Sequence, residues 1–296
     1  MKNNPFRDPE NGQLMIDELG FTNFVWCIED CVFSDKERVK EAKKIILSFG
    51  DDFYELTGRE NEFHTVFQNR WIDIFGINNN PAFVLSSLNW ANKLGFYDKE
   101  KYNVSNYTNY IGEDFLNHDF VILPLGMLAN ASEITVAIVS GLFSHSNDYF
   151  IKPNSGFKQF TGDCVPFGEI GDFCRDLKQL CVSNETLCIV SSGKKITGEW
   201  RFWIIDNEVI TYSYYDWADY NEVIEPPKNV KEMAEKLKAS FGDLKCFTLD
   251  LCEFNGKVKV VEINNVYTSG TYNCDLKKLL TSARAFAIKE YEEIYG

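Results

Sequence analysis

The sequence predicts an α+β (mixed α/β) protein, because runs with the alternation of strands interleave with segments of helical periodicity and short turn dipeptides join neighbouring strand runs. The strongest of these turns is Asn255-Gly256, between an apolar run at 246–253 and another at 257–263. A chain of 296 residues, 45% of them hydrophobic, can bury one large core or two smaller ones.

Taken in order, residues 24–31 read as a strand, and Ser34 with Glu37 forms a capping box that opens a helix. Val39, Ala42, Ile45, Ile46 and Phe49 recur along it at helical spacing, and Gly50 ends it. Residues 51–118 are irregular and rich in Asn, Tyr and Asp, with a helix expected around 84–94. The apolar stretch 120–143 approaches the ~20 residues that a bilayer requires. Pro124, Gly126, Asn130, Ser132 and Glu133 interrupt it, so two buried elements are expected instead of a membrane span. A domain boundary is expected near Asp119, dividing the chain into 1–118 and 119–296.

Beyond that boundary come a strand at 149–152, a Gly-punctuated loop at 153–162, and a short helix from Asp172 with Phe173, Leu177, Leu180 and Cys181 on one face. A strand at 187–191 follows, then a hairpin, 199–205 and 209–215, turning at Asp206-Asn207. Asn229 is expected to cap a helix that turns Val230, Met233, Ala234 and Leu237 inward, and the last helix starts near Asp275.

Composition narrows the chemistry. Acidic residues outnumber basic ones 44 to 30, a formal charge of −14, so broad nucleic-acid binding is not expected: neutralising phosphates needs a basic surface. Nine Cys, an odd number, behind a polar N-terminus with no secretory pattern, read as free thiols in a cytoplasmic protein. Cys27 and Cys31 have no second ligand pair, which argues against structural zinc. Three His and no Gly-x-Ser-x-Gly or His-Glu-x-x-His leave serine and zinc hydrolase chemistry without support. Neither a Walker A loop nor a Gly-x-Gly-x-x-Gly fingerprint is present.

Three constellations remain. In the second hairpin Glu262 and Asn264, two apart on a strand, share a face and offer oxygen ligands to one hard cation. Asp250 joins them only if the register allows it. A strict two-residue turn at Asn255-Gly256 sets Asp250 opposite Val261, whereas an odd-length loop or a bulge at Gly256 brings it opposite Glu262. The second constellation is Glu199-Trp200-Arg201-Phe202, with Glu199 and Arg201 on one face. It reads either as an exposed ion pair worth under about 1 kcal/mol or as an Arg aimed at phosphate oxygens. The third is Lys152 at the end of an apolar strand, followed by a Gly-bracketed loop carrying Lys158, a pattern that holds polyphosphate through ammonium groups and backbone N–H. Lys194 and Lys195, after Ser191-Ser192-Gly193, form a weaker basic pair.

In order and approximate spacing, Lys152-Pro153 with its loop, Glu199-x-Arg201, and Asp250 followed by Glu262-x-Asn264 resemble the ATP-grasp fold, with an N-terminal pre-ATP-grasp α/β domain in 1–118. More narrowly, FIKPNSGFKQFTG, EWRFWIIDNEVITYSYY and VVEINNVYTSGTY are similar to the bacterial and phage ATP-grasp clade named for one Arg and two Lys. The resemblance covers about residues 119–296. It implies an ATP- and Mg²⁺-dependent carboxylate–amine (or carboxylate–thiol) ligase that works through an acylphosphate, with ATP and unidentified carboxylate and amine substrates as its partners.

Residue by residue, the resemblance implies that Lys152 contacts the nucleotide phosphates and that Lys158 lies in the mobile loop over them. Arg201 would stand near the transferred phosphoryl group with Glu199 as its partner. Leu187, Ile189 and Ser191 of a hinge strand, with Lys194 just beyond, would bind the nucleotide, and Asp250, Glu262 and Asn264 would hold Mg²⁺. Acceptor contacts are expected from Tyr267, Ser269 and Tyr272. Members of the clade often carry Arg where this chain has Lys152, an exchange that keeps the charge and loses the planar fork. The competing reading is a non-catalytic ATP-grasp-like module, an acidic interaction protein or nucleotide binder that performs no ligation.

Overall fold

The computed structural model describes residues 24–56, 82–88, 91, 102–129, 147–156, 158–215 and 224–295. The second of the two elements expected in 120–143 lies outside these residues, as does most of the helix expected at 84–94.

Three sheets organise the described residues. The first is parallel, with β1 (Val25–Glu29) between β2 (Asp52–Leu56) and β3 (Ala82–Leu85). Val84 therefore belongs to a strand, which corrects the helix expected from that position. Phe83, Val84 and Leu85 are fully buried, and so short an apolar run has no periodicity by which to tell strand from helix. Helical bonding begins later, where the Ala91 N–H donates to the Ser87 carbonyl at 3.1 Å.

Helix α1 (Lys36–Ser48) returns the chain from β1 to β2. Its cap is Asp35 rather than Ser34: the Asp35 Oδ1 accepts the N–H groups of Glu37 and Arg38 at 2.8 and 2.9 Å. Gly50, at φ +78°, supplies the left-handed residue just past the helix end.

The core of this layer joins the first of the described strands to the last helix. Phe24, Trp26, Phe83 and Leu85 pack against Ala42 and Ile46 of α1 and against Leu279, Leu280 and Ala283 of the last helix, α6 (Leu276–Tyr295). A polar staple reinforces the contact. Asp51, 4% exposed, accepts from Trp26 Nε1 at 3.0 Å and from two nitrogens of Arg284 at 2.8 and 2.9 Å, so its buried charge is fully engaged. Asp275 caps α6 through the Lys278 N–H at 3.0 Å.

The second sheet is antiparallel, in the order β11-β10-β8-β9: β8 (Glu199–Ile205), β9 (Glu208–Tyr214), β10 (Cys246–Phe254) and β11 (Lys257–Asn265). Both of its hairpin turns put two consecutive residues at positive φ, Asp206 and Asn207 at 52° and 61°, Asn255 and Gly256 at 51° and 72°. That geometry matches the right-handed twist of the strands it joins. Helix α5 (Lys228–Leu237) buries Val230, Ala234 and Leu237 against this sheet, starting after Pro227; Asn229 lies inside it and hydrogen-bonds Glu253 instead of capping.

The third sheet is smaller, in the order β4-β7-β5-β6: β4 (Val121–Pro124), β5 (Asp148–Pro153), β6 (Asp163–Pro166) and β7 (Leu187–Ser192). It is covered by α3 (Leu125–Ala129) and α4 (Ile170–Gln179). Helix α4 starts before Asp172 and buries Ile170, Cys174 and Leu177; Leu180 and Cys181 lie past its end, with Leu180 74% exposed. Helix α2 (Val104–Ile111) packs on β11, and the chain after it is tied there by the Leu116 N–H, which donates to the Val260 carbonyl at 2.8 Å. All nine Cys are free thiols, and no helix among the described residues is long and apolar enough to cross a membrane.

Candidate active site

The antiparallel register of the larger sheet lines up four side chains in one file: Glu262 on β11, Asp250 on β10, Arg201 on β8 and Ser213 on β9. The turn at Asn255-Gly256 is a strict two-residue loop, with Phe254 opposite Lys257. Parity alone would leave Asp250 facing Val261. A bulge supplies the missing step: Leu251 pairs with Val260 and Asp250 with Glu262, leaving Val261 as the extra residue. The register is corrected beside the acids and not at Gly256.

Arg201 is 5% exposed and Asp250 1%. Arg201 donates from Nε and Nη2 to the two carboxylate oxygens of Asp250 at 2.8 and 2.7 Å, a two-pronged bond that fixes the guanidinium plane. The exposed pair between Glu199 and Arg201 is not formed. Burial pushes the Asp250 carboxyl up and the Arg201 guanidinium pulls it back; the two short bonds are those of an ionised pair. A third contact, from Arg201 Nη1 to the Gly270 carbonyl at 3.4 Å, and the Tyr272 ring, 5.1 Å from the guanidinium carbon, hold the remaining faces of the group.

Glu262 is the meeting point of the two antiparallel sheets. Lys152 Nζ reaches its Oε2 at 3.2 Å, Lys158 Nζ its Oε1 at 3.4 Å, and Asn264 Nδ2 donates to Oε1 at 2.7 Å. Burial alone would raise the Glu262 carboxyl, but Lys158, Lys152, Asn264 and Arg201 together hold it well below the usual carboxylate range. Burial likewise works against the charge on Lys152, and Tyr107 and Glu262 outweigh it. Glu199, on the wall of the same cavity, has the opposite fate: burial first, then the charges of Asp250 and Glu262, push it up to about 8.

These groups line a cavity of about 900 Å³. Lys152, Lys158, Lys194, Glu199, Arg201, Asp250, Glu262, Asn264, Ser269 and Tyr272 all line it. Ser269 is braced by Thr248 at 2.9 Å and the Asn265 carbonyl at 2.8 Å. Lys194 is held by Asp119 at 2.7 Å and by Ser192 Oγ at 2.9 Å.

Four expected residues are not brought to the cavity. Leu187 sits at the far end of β7 opposite Pro124, 49% exposed; Ile189 is buried in the core; and Ser191 donates to Asn117 Oδ1 at 3.0 Å. Strand β7 is paired with β4 from Leu187 to Val190 and with β5 from Cys188 to Ser192, and the Ser192 N–H donates to Asp119 Oδ2 at 3.3 Å; the cavity wall follows at Lys194 and Ile196. Tyr267 packs against Phe83 at 4.8 Å and is a core residue.

Sequence reasoning missed Tyr107, Asn117, Tyr215 and residues 31–34, all on the cavity wall. Of these only Tyr107 carried a signal, the helical spacing of Val104, Tyr107 and Ile111. Residues 31–34 and Leu88 follow the carboxyl ends of β1 and β3, where the strand order β2-β1-β3 reverses, the place at which open α/β sheets bind ligands. Val32 fastens this edge to the segment that follows β11, its carbonyl accepting from Thr271 N–H at 2.7 Å and Oγ1 at 3.0 Å.

Among the described residues no three His, Cys, Asp or Glu side chains gather closely enough to hold a metal ion. The local donor set is two carboxylates and an amide, all from one hairpin.

The family model for the ATP-grasp domain, R2K clade family 3, matches residues 107–283, beginning before Asp119. A sequence search of the curated proteins finds no match. Among solved structures, D-cycloserine synthetase DcsG aligns with a TM-score of 0.60 at 13% identity, covering 91% of this chain and 99% of that one. A D-alanine–D-alanine ligase from Bacillus anthracis aligns at 0.56 and 14% identity, covering 92% and 99%. A RimK domain ATP-grasp protein from Sphaerobacter thermophilus aligns at 0.52 and 9% identity, covering 90% and 98%. At these identities the likeness is one of fold.

Proposed function

Because the chain belongs to the ATP-grasp domain, R2K clade family 3, we propose that it is an ATP- and Mg²⁺-dependent ligase joining a carboxylate to an amine, or to a thiol, through an acylphosphate. The observation that carries this reading is the file Glu262–Asp250–Arg201 on one sheet, faced across a shared cavity by Lys152 of the other and by Lys158 of the loop that follows its strand. A cavity of about 900 Å³ is at the upper end of the ~300–1,000 Å³ range of ligand sites, with room for a nucleotide and a second substrate.

Phosphoryl transfer asks the protein chiefly for position and charge. In this reading Lys152 and Lys158 leave Glu262 for the phosphates, and Arg201, its plane fixed by Asp250, neutralises the phosphoryl group as it passes to the substrate carboxylate. The amine then attacks the acyl carbon, phosphate leaves, and the amine gives up a proton. Asp250, Glu262 and Asn264 would hold Mg²⁺. They fit it, because a magnesium site uses one or two carboxylates completed by substrate phosphates, and turning the Asn264 amide over presents its oxygen where Nδ2 now points. The metal would supply further neutralisation of the phosphates. Ser269 and Tyr272, with residues 31–34, would meet the acceptor, and the linker carrying Lys194 and Ile196 the base. Residues 1–118 would form the preceding domain and 119–296 the nucleotide-binding and catalytic one, in a cytoplasmic enzyme.

Calorimetric titration of ATP with and without Mg²⁺ into wild type and Glu262→Gln tests the proposal. Mg²⁺-dependent binding that the variant loses is expected; no binding by wild type in either condition refutes it. Arg201→Lys is expected to slow phosphoryl transfer more than it weakens ATP binding, and equal losses would make Arg201 a ground-state contact only.

A further inference from the structure

Helix α2 precedes the small sheet in the chain, yet its first turns lie along the segment that follows β5, and the two meet at every second residue in antiparallel order. Asn103 Oδ1 accepts the Gly156 N–H at 3.4 Å and the Ser105 N–H donates to Asn154 Oδ1 at 3.4 Å, and the next step of the same order sets Tyr107 against Lys152, both on the cavity wall, where the phenol favours the ammonium charge. Tyr107 is 2% exposed, its ring edge-on to Phe115 at 6.1 Å and its helix seated on β11, so the hydroxyl is a fixed point. Lys152 thus stands between Tyr107 of α2 and Glu262 of β11, bonded to the latter at 3.2 Å.

We propose that Tyr107 is a positioning residue for Lys152, and that residues 103–107 form a splint that sets the phosphate-binding segment 152–156 in place before any nucleotide arrives. A lysine has four rotatable bonds and a point charge, with none of the planar geometry that lets an arginine define its own direction. Tyr107 supplies that direction from outside. When Glu262 turns to another partner, the phenol keeps the ammonium facing the cavity. Asn103 and Ser105 lie ahead of the span matched by the family model, so this support belongs to the part of the chain before the ATP-grasp match.

The inference rests on the nucleotide reading above, and its test separates the two. Adenosine, and ATP with Mg²⁺, are titrated into wild type and Tyr107→Phe, and amide hydrogen exchange in the peptide spanning 154–156 is followed without nucleotide in wild type, Tyr107→Phe and Asn103→Ala. The expected result is ATP affinity about tenfold weaker in Tyr107→Phe, the size of one hydrogen bond to a charged group, with adenosine affinity unchanged and faster exchange in both variants. Unchanged ATP affinity overturns the proposal, as does an equal loss for adenosine and ATP, which is what a merely structural role would give. If wild type binds neither ligand the nucleotide reading falls, and exchange alone decides: faster exchange in the variants supports the splint, and unchanged exchange overturns it.

Discussion

The two antiparallel sheets contribute to one cavity in different ways. The larger has strands of 7 to 9 residues, and its deepest ion pair closes within the sheet: Arg201 and Asp250, 5% and 1% exposed, are locked by two bonds. The smaller has strands of 4 to 6 residues, and the cations it carries toward the cleft, Lys152 on β5 and Lys158 in the loop after it, both find their acid across it on Glu262. One sheet is a platform whose electrostatics are settled on folding. The other is a cover whose electrostatics are settled only by what lies beneath it.

Substitutions should separate platform from cover. The largest effect is expected for Asp250→Ala, which leaves the Arg201 guanidinium buried without a counter-charge: a loss of about 3–5 kcal/mol, read from the denaturant midpoint. A loss below about 1 kcal/mol would erase the distinction. Next comes a pH effect with opposite signs at two carboxylates. Glu199, raised to about 8 from 4.5, keeps in the folded state a proton that the unfolded chain releases, so its contribution is present below about 4.5 and is lost as pH climbs through about 8. Glu199→Gln should therefore remove part of the fall in melting temperature between pH 5 and 8, and parallel curves would contradict the shift. Glu262, held below 4.5, contributes above that value and loses its contribution as pH falls below it, so Glu262→Gln should flatten only the acid limb. The smallest effect belongs to the cover: Lys158→Ala, whose side chain is 50% exposed, should cost no more than about 1 kcal/mol in the same denaturation.

What the sequence made legible follows the range of the forces involved. Both hairpins could be read because Asp206-Asn207 and Asn255-Gly256 determine their turns locally. The file of charged residues was readable in type but not in alignment, since Val261 looks like any other strand valine until its partner strand is present. Strand β3 and the cavity wall at Ile196 depend on which strands flank them, a property of the assembled sheets. Asp35 and Ser34 are both good caps, and only the backbone chose between them. Tyr107 lay in a segment rich in Tyr and Asn that reads as irregular; the helical spacing of Val104, Tyr107 and Ile111 is present there, but nothing indicates what the helix neighbours.

The bulge at Val261 separates two jobs that a hairpin usually performs together. Four residue pairs, from Phe254 with Lys257 to Leu251 with Val260, stand between the tip and the acids, and all of them lie on the far side of the irregularity. The tip thus closes the hairpin without deciding what faces the cavity. A probe or peptide grafted between Asn255 and Gly256 would inherit a tether to the acidic pair with no say over its alignment, which makes that turn a place to attach a reporter without retuning the chemistry it reports on.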